Sequence, residues 1–226
     1  MNYLKSIIMP FDNFFAYSLA GGTATTPTQP TDPGTDPEPA VPTQWDATTA
    51  GTNLTLSNNN LTVTTSGSTA TSIKSNKPLT GKNYWEINLG ATTGVGHHAL
   101  GIATASLPLD KYPGFTADSY CYDPYNPRKF NNNVSQPYGS SSTTGDIIGI
   151  AFDVDNGTLE YFKNGTSMGV AFSNISTNTY YAAIGHGGSN NTHSSTAKFD
   201  NFTYTPPVGY TAIGAEPENP GTGTTA

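Results

Sequence analysis

A chain of 226 residues has room for one domain of about 150–200 residues with extensions, and a domain of that size folds without needing a disulfide or a metal. Nine Lys+Arg against 16 Asp+Glu give a net charge of −7, and Arg128 is the sole arginine, which excludes the clustered cations that nucleic-acid binding requires. Cys121 is the sole cysteine, so there is no intrachain disulfide and the redox compartment stays open.

Residues 1–21 are apolar and aromatic with a single basic residue, Lys5. Ile7, Ile8, Phe11, Phe14 and Phe15 read as an anchoring segment that docks into a partner protein, because these side chains would otherwise face water. An export signal cleaved near Ser18-Leu19-Ala20 is the alternative, although Pro10 and Asp12 interrupt the apolar stretch. Neither reading gives a membrane span, which needs ~18–20 apolar residues.

Residues 22–43 carry prolines at 27, 30, 33, 37, 39 and 42 among Thr, Asp and Gly, with too little apolar content for a core. An extended, polyproline-like linker is expected, an N-terminal arm of roughly 60 Å at ~3.1 Å per residue. A folded domain is expected over 44–210, and a flexible tail over 211–226.

Within that domain, short alternating runs recur: Leu61-Thr-Val63-Thr, Trp85-Glu-Ile87-Asn-Leu89, Tyr180 to Ile184 and Phe199 to Tyr204. Each is bounded by Gly, Asn, Ser or Pro, and none has a helical period. The stretch 145–169, GDIIGIAFDVDNGTLEYFKNGTSMG, reads as three strands joined at Asn156-Gly157 and Asn164-Gly165. Type I′ turns are expected at both pairs, since Asn and Gly tolerate the positive φ that this turn requires. The fold class is all-β, with two antiparallel sheets packed as a sandwich.

These motifs resemble the SPRY domain, a concanavalin-like jelly-roll sandwich. KNYWEINL (82–89) is similar to its early aromatic-acid strand, GDIIGIAFDVDNGTLEYFKNG (145–165) to its most recognisable block, and FSNISTNTYYAAIG (172–185) to the segment that follows. The stretches 119–133 and 199–213 resemble SPRY versions found in phage virion proteins. The resemblance implies a non-enzymatic binding module whose loops meet a partner protein or peptide, or a glycan.

The segment 106–139 is the expected ligand surface, with Tyr112, Tyr120, Tyr122, Asp123, Tyr125, Arg128 and Tyr138 as candidate contacts. Tyr with Asp and Arg suits both sugar stacking and protein interfaces. The competing reading is that several of these tyrosines pack the sandwich.

No catalytic residue, metal or cofactor is expected. Gly165-Thr-Ser167-Met-Gly169 matches G-x-S-x-G but follows a hairpin turn rather than opening a helix. Asp153 and Asp155 flank a turn and lack further calcium ligands. His97, His98, His186 and His193 lack zinc-ligand spacing. Glu86 and Glu160, the glutamates of the domain, form no glycosidase-like cluster.

The expected function is a virion structural protein of capsid-decoration, spike or fibre type, displayed in many copies at the virion surface. Residues 1–21 would hold other virion proteins, and the loops would meet a host-surface glycan or protein. A secreted or cell-surface bacterial lectin-like adhesin is the alternative.

Overall fold

The computed structural model describes residues 41–93, 96–188 and 192–215. The anchoring candidates Ile7, Ile8, Phe11, Phe14 and Phe15, the linker up to residue 40 and the tail from residue 216 lie outside the described residues.

The described chain is a two-sheet antiparallel sandwich, as the alternation predicts, and a 3-10 turn at Ala47–Thr49 is its only helical element. One sheet has seven strands in the order β1 (Leu54–Ser57), β2 (Thr62–Thr65), β13 (His193–Lys198), β4 (Lys82–Thr92), β9 (Ile147–Asp153), β10 (Thr158–Lys163) and β11 (Thr166–Phe172). The other has six, in the order β3 (Ala70–Pro78), β12 (Tyr180–Gly187), β5 (His98–Thr104), β6 (Ser119–Asp123), β7 (Arg128–Asn131) and β8 (Val134–Pro137).

Period-two alternation builds the space between the sheets. Trp85, Ile87 and Leu89 of β4, with Ile148, Ile150 and Phe152 of β9, meet Ile73, Leu100, Ile102, Tyr122, Tyr180 and Ile184 from the facing sheet, all essentially buried. Tyr161 reaches across the gap, its hydroxyl donating to the Leu100 carbonyl at 3.0 Å.

The 145–169 stretch forms β9, β10 and β11 as expected, but its two turns differ. Asn164 and Gly165 have φ of 49° and 79°, the positive pair of a type I′ turn. At the first turn only Gly157 has positive φ, at 59°. The Asp153 carboxylate accepts from Asn156 N at 3.0 Å and from its Nδ2 at 2.7 Å, so the side chain organises a longer loop in which glycine alone takes the left-handed residue.

Each outer face is partly covered. Residues 199–213 lie over the seven-stranded sheet, where Phe202 packs edge-on against Tyr84 with ring centroids 5.0 Å apart. Glu86, fully buried, accepts from Thr203 N at 2.7 Å and Tyr204 N at 2.8 Å, and Tyr84 donates to it at 3.2 Å. This glutamate is therefore an anchor for the closing segment. Thr211 bridges Asn83 and Ile213 is 3% exposed, so packing continues past Tyr210, where a tail was expected. On the six-stranded sheet, the 105–118 connection covers the face carrying Ala99, Ala103, Cys121, Phe130 and Ala183.

Candidate functional site

His97 and His98 enter β5 side by side and, by alternation, serve opposite faces of the six-stranded sheet. His98 points between the sheets, opposite His186 on β12. His193, on β13 of the other sheet, lies with its ring centroid 4.8 Å from His98 and 5.3 Å from His186. All three are buried. His98 Nε2 bonds Ser195 Oγ at 2.9 Å, His193 Nδ1 bonds Thr92 Oγ1 at 2.8 Å, and Tyr125 stacks on His193 at 5.5 Å.

Burial, reinforced by His193 and His186, holds the His98 pKa well below 6.5. Burial and His186 bring His193 down to about 4, against the opposing pull of Asp123. At neutral pH these two rings are uncharged packing groups. Among the described residues no group of three or more His, Cys, Asp or Glu is arranged to hold a metal ion.

His97 lies on the other face. Its side chain is 41% exposed, while its Nδ1 meets the fully buried carboxylate of Asp123 at 3.1 Å. The ring stacks on Tyr112 at 6.1 Å with an interplanar angle of 19° and meets the edge of Phe130 at 5.1 Å. Tyr112 in turn packs edge-on against Phe115 and Phe130 and donates to Asn133 Oδ1 at 2.8 Å. Gly114, at φ +96°, lets the chain run flat here, since a β-carbon would lie 2.8 Å from Phe130 Cβ. The Asn132-Asn133 turn, with φ of 51° and 58°, is tied to this loop by Asn133 N bonding Gly114 O at 2.9 Å.

A half-exposed imidazole is thus fixed by a stacked ring, an edge contact and a buried carboxylate. Asp123 is itself held by Tyr125 N at 3.1 Å, Asn126 N at 3.2 Å and Asn126 Nδ2 at 3.2 Å. This arrangement can present an aromatic surface and a ring nitrogen to a ligand at little ordering cost.

The structure disperses the residues expected to contact ligand. Tyr122, with no exposure, is a core residue whose hydroxyl donates to the Ser140 carbonyl, and burial pushes its pKa up to about 12. Asp123, also unexposed, organises a turn and orients His97. These two cannot contact an external ligand directly, because β6 directs Tyr122 inward and the turn after β6 encloses Asp123.

Tyr120 packs on Phe172 and Tyr180, and Tyr138 closes the far edge of the core against Tyr122 and Tyr161. Tyr125 belongs to the histidine cluster. Tyr112 is 8% exposed and contributes as the platform under His97. Arg128 is exposed, lies directly across from Asp123 in the β6–β7 pairing, and donates to Ser135 Oγ at 3.1 Å. Sequence reasoning tested His97 only as a metal ligand and missed it as a surface group. The signal lay in the adjacent pair His97-His98 entering a strand, which must divide between two faces.

The SPRY domain family profile matches residues 82–199, just over half of the chain. Ran-binding protein 10 of Danio rerio is 31% identical over 152 residues, covering 63% of this chain and 25% of that protein. Protein ssh4 of Neosartorya fischeri is 27% identical over 121 residues, covering 52% of this chain and 24% of its own. The chain thus spans about a quarter of the length of these relatives. Among solved structures, the SPRY domain of human HERC1 superposes with a TM-score of 0.60 at 20% identity, over 68% of this chain and 96% of that one, which shows the shared fold.

These eukaryotic relatives overturn the expected virion structural role, its bacterial-adhesin alternative, and the virion-surface or cell-surface location that went with them. Virion partners for residues 1–21 and a host glycan for the loops lose their support too. The reason is physical: the 145–165 block that carried the resemblance is hairpin and core architecture, which identifies a scaffold and not its source. Among the described residues, no helix is long and apolar enough to cross a membrane.

Proposed function

Because the chain belongs to the SPRY domain family, we propose that its sandwich is a non-enzymatic module that binds a segment of a partner protein through the outer aromatic face of its six-stranded sheet. The observation that carries this reading is His97, 41% exposed yet fixed by Asp123, Tyr112 and Phe130. With Nδ1 engaged by Asp123, Nε2 is the ring nitrogen left to a ligand, and the partly exposed Phe115, packed on the buried Tyr112, supplies apolar area nearby. Rigid aromatic groups of this kind are what protein recognition uses as anchors.

The fate of the candidate catalytic groups supports a non-enzymatic role. Both oxygens of Glu86 are taken by backbone N–H groups of the closing segment. Ser167 lies on β11 and donates to Glu160, with no histidine base beside it in its hydrogen bonds.

The test is selection of peptides from a random display library with the full chain, followed by comparison with His97→Ala. Selected peptides should lose at least about ten-fold in affinity for the variant, the scale of one interface anchor. Peptides that bind the variant as well as the parent would refute this surface. Ran, the partner after which several relatives are named, is the first full-length protein to assay in the same pair.

A further inference from the structure

A second surface lies on the same face of the six-stranded sheet but toward its other end. A cavity of about 410 Å³ opens there, beside the β3 edge, lined by Asp46, Lys74, Leu107, Leu109 and Tyr181 among others. Tyr181 sits five residues along β12 from His186, which is roughly 17 Å at the rise of a strand.

Lys74 is the unusual group in this cavity. It is 4% exposed, and its ammonium makes one long hydrogen bond, 3.5 Å to the Leu107 carbonyl. Among the described residues no carboxylate forms an ion pair with it. An ammonium has three protons to donate, and a desolvated charge without a counter-ion is costly. Burial lowers the Lys74 pKa, and Asp46 across the cavity opposes that shift. Asp46 makes no ion pair with Lys74 and acts on it only through its field, while its Oδ1 accepts from Thr48 N at 2.9 Å and Thr48 Oγ1 at 2.7 Å as the cap of the 3-10 turn.

One wall is polar, with Thr48, Thr49, Ser75 and Asn76 beside Asp46, and the opposite wall is apolar. Leu107, Pro108 and Ala105 line the apolar side, and Leu109 stands at the mouth, 37% exposed. A buried cation facing an apolar rim is complementary to a carboxylate carried next to an apolar side chain. We infer that this cavity binds an acidic residue of an extended partner-protein segment, with the carboxylate on Lys74 and a neighbouring apolar side chain against Leu107 and Leu109.

The site is separate from His97, so either proposal can fail without the other. Isotope-labelled full chain would be titrated with the blocked tetrapeptide acetyl-Ala-Leu-Asp-Ala-amide and with its Asn counterpart, following the NMR signals of Lys74, Leu107 and Tyr181. The Asp peptide should shift these signals and bind at least ten-fold tighter than the Asn peptide, and Lys74→Met should abolish the difference. Equal binding of the two peptides by the parent protein, or no shift at millimolar concentration, would overturn the inference even if the variant failed to fold. Free acetate shifting the same signals as strongly as the Asp peptide would also overturn it, because the apolar neighbour would then contribute nothing.

Discussion

The two faces of the six-stranded sheet carry the same kinds of side chain and place them in opposite circumstances. Toward the seven-stranded sheet, Tyr122, His98 and His186 are wholly enclosed, and their rings fill volume between layers. Toward the outside, Tyr112 and Phe130 form a thin cluster under one loop, and His97 rests on it in partial contact with solvent. Residues one apart on β5 and on the 112–130 segment therefore differ in role because of strand alternation, not chemistry. Aromatic richness in 106–139 accordingly says little until the face of each residue is known.

Truncations on the inner face should have the larger effect. Tyr122→Ala should cost about 3–5 kcal/mol, as for other large core truncations, and lower Tm by roughly 10 °C or more. A thermal scan showing little change would mean that Tyr122 is not the core residue described above. Glu86→Ala should follow, losing about 3 kcal/mol because the backbone N–H groups of Thr203 and Tyr204 would lose the carboxylate that accepts from both. Urea unfolding measures it, and hydrogen exchange should be fastest over 199–211.

The inner histidines make a pH prediction with a definite sign. His98 and His193 have folded pKa values below the unfolded value of 6.5, so the unfolded chain takes up more protons as the pH falls. The stability they permit is intact above about pH 6.5 and declines as the pH drops toward the folded value, about 4 for His193. Asp146 and Asp153 have depressed pKa values, so their contribution is lost only below the unfolded carboxylate value of 3.8. Tm should therefore fall by several degrees between pH 7 and pH 4.5, before the carboxylates contribute. A flat profile across that window would contradict a buried neutral cluster.

The outer face should respond in the reverse manner. His97→Ala should change stability by about 1 kcal/mol or less while weakening partner binding, and Arg128→Ala should change stability by no more than about 0.5 kcal/mol. Equilibrium unfolding of both variants checks this, and a collapse of the His97 variant would place that ring in the core.

Much of the architecture is legible in the sequence itself. Alternation in Trp85-Glu-Ile87-Asn-Leu89, and turn chemistry at Asn164-Gly165, specify strands and a hairpin through local rules. The binding face is less legible because it depends on which residues the 105–118 connection covers, and that is a matter of non-local packing. Glu86 shows the same gap: its spacing from Glu160 says nothing of the closing segment, more than 110 residues later, that consumes both its oxygens. The turn at Asn156-Gly157 departs from expectation because the Asp153 side chain competes with the backbone for the turn's donors.

The most direct test of the outer-face claim is hydrogen–deuterium exchange on the full chain with and without a selected peptide. Binding should protect residues 96–98, 112–116 and 130–133 and leave the already buried interior of β6 and β12 unchanged. Protection confined instead to the edge strands β8 and β11, with no change around His97, would contradict recognition through the outer face.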